Sequence, residues 1–171
     1  RLDAPLNCRL TVIHAPAGYG KTSLLSQWID QASGSAHIAL VSLKRDDTDM
    51  RSLTRAILQA VGKAAGGSER GKGQTRVPTE LAPGNAISLL ISRLEREAGA
   101  FVVILDDYHL IERPEIDALV RQLISQAPVN CHFVISSRDN PWLGQSILAA
   151  EEQLLELSAE DLRFSLDEAR L

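Results

Sequence analysis

The sequence predicts an α/β domain: a mainly parallel sheet with helices on both faces. Three observations carry this expectation. Short apolar runs alternate along the chain with stripes of helical period. The first run passes through a glycine-bearing loop straight into a helical pattern. Two later runs are apolar along most of their length and end in charged residues, as strands do when both faces are covered and only the carboxyl end is free.

In chain order the expected strands are Leu10 to Ala15, Ile38 to Leu43, Phe101 to Asp106, Cys131 to Ser137 and Leu154 to Leu157. The segment from Ser23 to Ile29 reads as the first helix. Met50, Leu53, Ile57 and Val61 form a second helical stripe, entered through Asp49, a residue suited to capping the free N–H groups of a first turn. Asp46 and Asp47 stand beside Lys44 and Arg45, which favours helix entry over metal binding. Ile87, Leu90, Ile91 and Leu94 make a third stripe. Ile116, Leu119, Val120, Leu123 and Ile124 make a fourth, with Pro114 suited to its first turn. Between the second and third helices, Gly66 to Pro83 is rich in glycine and poor in apolar residues, and reads as a long, locally basic surface connector.

With 171 residues, 44% apolar and 23% charged, the chain suits a single globular domain spanning 1–171. Its net charge of −4 and 4% aromatic content argue against a nucleic-acid surface within it. Cys8 and Cys131 lack metal spacing and are expected as buried free thiols. No stretch approaches a membrane span or a leader, so a cytoplasmic location without membrane contact is expected. The start at Arg1 suggests a fragment or processed form.

The chemistry concentrates in three places. Ala15-Pro16-Ala17-Gly18-Tyr19-Gly20-Lys21-Thr22-Ser23 lies between a strand and a helix, the layout of a phosphate-binding P-loop. Glycines let the backbone turn its N–H groups toward an anion, and the helix start adds a positive dipole end. Lys21 supplies a charge for the terminal phosphates and Thr22 a hydroxyl for Mg²⁺. Ala15 stands where the usual pattern has glycine. Asp106 ends the apolar strand and is placed to hold Mg²⁺ through its water shell. Asp107 either orients an attacking water or caps a turn. Arg138, after Ser136-Ser137, either reaches a terminal phosphate or is a surface charge. His14, His37, His109 and His132 have no second ligand at metal spacing and read as structural or surface residues, with His109 the least settled of the four.

Taken in order, the P-loop segment, Ile104-Leu105-Asp106-Asp107-Tyr108-His109-Leu110-Ile111, Val134-Ile135-Ser136-Ser137-Arg138 and Gln153-Leu154-Leu155-Glu156-Leu157 resemble the nucleotide-binding domain of MalT-like regulators. These are large ATP-dependent LuxR-family transcription activators of the STAND class. The resemblance covers nearly the whole chain. It implies a five-stranded sheet in the order 5-1-4-3-2, which puts Arg138 between Lys21 and Asp106. It makes Ala15 ordinary. It also implies an ATP/ADP switch with Mg²⁺ and slow hydrolysis, self-association of the full-length ATP form, and an inducer that acts elsewhere. DNA contact would fall to a C-terminal helix-turn-helix beyond residue 171. The chain departs from its relatives at Leu40 (usually Trp), at Lys44 (usually acidic), and at Ala149 and Glu151, where arginines are common, so no phosphate contact is carried over to the segment before Gln153. Two alternatives remain: a STAND ATPase with another effector, and a P-loop small-molecule kinase.

Overall fold

The computed structural model describes residues 8–32, 34–46, 49–66, 83–96 and 99–162. Most of the expected connector from Gly66 to Pro83 lies outside the described residues, as do Asp47 and the tail after Leu162.

Five strands form one sheet: β1 (Leu10–His14), β2 (Ala36–Ser42), β3 (Ala100–Asp106), β4 (Cys131–Ser137) and β5 (Leu154–Leu157). The order is β2-β3-β4-β1-β5 and every pairing is parallel, in agreement with the order implied by resemblance. The register is level at the carboxyl ends. Ile13 pairs with Ser136, Leu105 with Ile135, and Ser42 with Asp106.

Alternation along the strands builds two cores. Phe101, Val103 and Leu105 face one side with Phe133 and Ile135, and pack with α2 (Met50–Ala64), α3 (Pro83–Arg96) and α4 (Pro114–Gln126). Val102, Ile104 and Val134 face the other, against Leu25, Trp28 and Ala32 of α1 (Lys21–Ala32). Leu53, Ile57 and Val61 of α2 are fully buried, so truncating Leu53 or Ile57 to Ala costs about 2–5 kcal/mol.

The helix signals act as read. Asp49 Oδ1 accepts from the N–H groups of Arg51 at 2.8 Å and Ser52 at 2.9 Å, and Asp49 Oδ2 accepts from the Ser52 hydroxyl at 2.7 Å. These bonds, led by those from Ser52, hold the Asp49 carboxyl below its ordinary value. Pro114 opens α4. Several boundaries differ from expectation by one or two residues, and two of them are instructive. The first helix starts at Lys21, directly after Gly20, so the loop is shorter than expected. β2 starts at Ala36 because His37 pairs with Phe101 in the ladder, its ring stacked on Phe101 at 5.1 Å between centroids. A polar residue there hides the strand start from a reading based on apolar runs.

Candidate functional site

The loop from Ala15 to Gly20 turns at the carboxyl end of β1. Ala15 is buried and its N–H donates to Ser137 O at 3.3 Å, which ties the loop to β4. Pro16, Ala17, Gly18, Tyr19 and Gly20 are exposed. Gly18 and Gly20 take φ of 87° and 76°, conformations that a side chain would strain. Ala15 needs no such φ, so a methyl group is tolerated where glycine is usual. Lys21 is only 8% exposed, and its Nζ donates to Ala15 O at 2.5 Å and Pro16 O at 3.1 Å. Burial pushes this ammonium below the ordinary lysine value; Asp107 and then Asp106 push it back up, and Arg138 lowers it further. Thr22 and Ser23 are exposed in the first turn of α1.

Asp106 is buried at the end of β3. One carboxylate oxygen accepts from Thr22 Oγ1 at 3.5 Å, the other from the N–H of Asp107 at 3.0 Å. Asp107 adopts the left-handed conformation, φ 60° and ψ 39°, and starts the 3₁₀ turn Tyr108–Leu110 without capping it through its side chain. Its carboxylate is half exposed. Tyr108 is fully buried and its hydroxyl donates to Asp117 Oδ1 of α4 at 2.6 Å, which anchors the turn. Burial first, and the Asp117 carboxylate second, push the Tyr108 phenol far above its ordinary range. The imidazole of His109 is largely buried, with Nδ1 3.9 Å from Asp107 Oδ1. Arg138 is exposed just past β4.

The sheet order explains the gathering. β4 runs between β1 and β3, so Arg138 emerges between the strand that leads to Lys21 and the strand that ends in Asp106. Lys21 lies within the field of Asp107, Asp106 and Arg138. His109, expected as a structural or surface residue and the least settled of the four histidines, lies within the field of Arg138, Asp107 and Lys21. Its one sequence signal is its place two residues after Asp107.

This donor set fits a polyphosphate. A buried ammonium, a helix start and an exposed guanidinium converge on one edge. Thr22 and Asp106 offer adjacent oxygen ligands to a hard divalent cation. Among the described residues no group of three His, Cys, Asp or Glu side chains is placed to hold a metal ion.

Residues 2–135 match the AAA ATPase domain family. The chain belongs to this family of ATPase domains. Membership implies nucleotide binding. Across 174 aligned residues the AAA ATPase domain is 33% identical to the HTH-type transcriptional regulator MalT of Cronobacter sakazakii, covering 99% of this chain and 19% of that protein. It thus spans about a fifth of the relative's length. Its fold is similar to that of the Aeropyrum pernix ORC1 protein solved in complex with DNA, with TM-score 0.61 at 20% identity, over 94% of this chain and 41% of that one. Cdc6p from Pyrobaculum aerophilum is similar too, with TM-score 0.56 at 12% identity, over 86% of this chain and 38% of that one. These two likenesses speak to the fold alone.

Two further histidines are accounted for locally. His37 Nδ1 bonds Ala64 O at 3.0 Å, and His132 Nδ1 bonds Cys8 O at 2.8 Å. Cys131 is a buried free thiol as expected, whereas Cys8 is only half buried because it precedes β1 rather than lying within it. Among the described residues no helix is long and apolar enough to cross a membrane.

Proposed function

We propose that residues 1–171 are the ATP/ADP-binding switch domain of a MalT-like, STAND-class transcription regulator. The observation that carries this reading is the convergence of Lys21, the Thr22–Asp106 pair and Arg138 on one sheet edge, in a chain 33% identical to MalT along nearly its whole length. In this reading the backbone of Ala15 to Gly20 and the helix start hold the inner phosphates. Lys21 leaves its two carbonyl partners for the terminal phosphates. Thr22, and Asp106 through water, hold Mg²⁺, which would neutralise phosphate charge and keep the terminal group oriented.

Asp107 orients the attacking water. As the water oxygen bonds to the γ-phosphorus, the bond from that phosphorus to the bridging oxygen breaks, and the water's proton passes by way of Asp107 to solvent. Arg138 contacts the γ-phosphate and so distinguishes ATP from ADP. Hydrolysis is slow, because its task is to reset a population between two states rather than to turn over substrate. Self-association, the inducer response and DNA contact belong to the full-length protein, with DNA read outside this chain, whose net charge is −4. The location is cytoplasmic.

Calorimetric titration with ATP and with ADP, each with and without Mg²⁺, tests the reading. It requires Mg²⁺-dependent binding of both nucleotides. A folded domain that binds neither would overturn it.

A further inference from the structure

The turn after β3 contains a buried imidazole that the sheet does not need. Both nitrogens of His109 are shut off from water, and neither has a hydrogen-bond partner. His37 and His132, at the other end of the sheet, each bond a backbone carbonyl. Buried polar atoms are nearly always paired, so this exception asks for a reason. The backbone gives His109 little freedom to move away. Leu110 N bonds Asp107 O at 3.0 Å and Ile111 N bonds Tyr108 O at 3.0 Å, while the Tyr108 hydroxyl is fixed to Asp117. The carboxylate that the ring faces, Asp107, makes no capping bond to its own turn. Nδ1 and Oδ1 are 3.9 Å apart, so a shift of about 1 Å brings them to hydrogen-bond distance.

We infer that His109 is a positioning residue for Asp107: its Nδ1–H donates to Asp107 Oδ1 when nucleotide is bound and holds that carboxylate toward the attacking water. The inference rests on the water-orienting role proposed for Asp107. The ring keeps its proton throughout. Burial and the nearby Arg138 and Lys21 cations favour the neutral imidazole, against the pull of Asp107. A neutral ring has one N–H, and the bond to Asp107 selects Nδ1 as its site.

Two measurements on the Mg²⁺-loaded domain test this. The first is nitrogen NMR of labelled histidine with a non-hydrolysable ATP analogue. His109 should carry its proton on Nδ1 in the parent protein and shift toward the Nε2-protonated form in Asp107→Ala. The same tautomer in both proteins overturns the contact. The second is single-turnover ATP hydrolysis. Asp107→Asn should slow it roughly a hundredfold and His109→Phe roughly tenfold, with ATP affinity within about twofold of the parent. His109→Asn, which offers an N–H at similar reach, should recover most of the loss. The double variant Asp107→Asn, His109→Phe should be no slower than Asp107→Asn alone, since the two act as one unit. If Asp107→Asn is slow while His109→Phe matches the parent, the role of His109 is wrong and that of Asp107 stands. If Asp107→Asn itself matches the parent, both readings fall.

Discussion

The two ends of the parallel sheet treat the same kinds of side chain in opposite ways. At the amino end most polar side chains are consumed by backbone, although the buried Thr11 hydroxyl near the start of β1 has no partner and Glu152, ahead of β5, takes a positive φ. Arg9 donates from Nε to Ile124 O at 2.6 Å and from Nη2 to Ser125 O at 3.2 Å and to Ala127 O, closing the last turn of α4. Asn130 donates to Gly99 O at 2.7 Å, and His37 and His132 bond Ala64 O and Cys8 O. At the carboxyl end, His109 and the hydroxyls of Ser136 and Ser137 are buried without partners, Lys21 rests on two loop carbonyls, and Asp107 sits at positive φ. Unsatisfied groups and unusual dihedrals lower stability, and proteins keep them where a ligand or a reaction uses them. In the proposed function the carboxyl end serves chemistry, while the amino end mainly serves the fold.

Substitutions at the two ends should therefore separate binding from stability. The largest effect is expected for Lys21→Ala. A charge-assisted contact to phosphate contributes on the order of 1.5–3 kcal/mol, so ATP affinity should fall roughly ten- to a hundredfold in calorimetry. The melting temperature should hold or rise slightly, because the buried ammonium is itself poorly solvated. A folded variant that binds ATP like the parent removes the P-loop assignment. The mirror experiment is Arg9→Ala. Losing its bonds to the α4 carbonyls should cost about 1–2 kcal/mol, or roughly 2–8 °C of melting temperature, with ATP affinity unchanged. Weakened ATP binding there would mean that the two ends are coupled and the contrast is too simple.

The sequence made the fold-serving parts of this contrast easier to read than the chemistry. Apolar runs located every strand to within two residues, and the stripes through Leu53, Leu90 and Leu119 located α2, α3 and α4, because burial is written into period; the short helix Gln145–Ala150 has no such stripe. Lys21, Thr22 and Asp106 could be proposed from sequence because phosphate and Mg²⁺ chemistry needs particular residue types at particular offsets from a strand end, and the structure brings the three to one sheet edge. The position of Arg138 came only from resemblance. Which strand lies beside which is a matter of crossovers, and nothing local to Ser137-Arg138 encodes that β4 inserts between β1 and β3. The Tyr108–Asp117 bond and the sealed ring of His109 were invisible, since both depend on how a short 3₁₀ turn packs against α4 and β4 rather than on any periodic pattern.

Within the chemical end, Arg138→Ala should separate the phosphates. If the guanidinium meets only the γ-phosphate, ATP affinity should fall roughly tenfold and ADP affinity by no more than about twofold. Competition binding of the two nucleotides reads the ratio directly. Equal losses would place Arg138 on the inner phosphates or in a general field effect, and the domain would then lack this means of telling its two ligands apart.

The smallest effect belongs to the closed end and is a test of how closed it is. Cys131 starts β4 beneath fully buried neighbours, and burial pushes its thiol up to about 12, against a lesser downward pull from Arg9. Only the thiolate attacks an electrophile, so at pH 8 roughly one molecule in ten thousand presents the reactive form, before any steric barrier is counted. A thiol reagent at that pH should modify Cys8, which is half buried, and leave Cys131 intact on the same timescale. Raising the pH toward 10 should increase the Cys131 rate about tenfold per unit and still leave it slow. Because the thiol is neutral in both the folded and unfolded chain below about pH 8, it adds no pH dependence to stability there; above that, the unfolded chain ionises first and folding is progressively disfavoured. Rapid labelling of Cys131 in the native protein would show that the amino end opens, and that the two ends differ less in rigidity than their hydrogen bonds suggest.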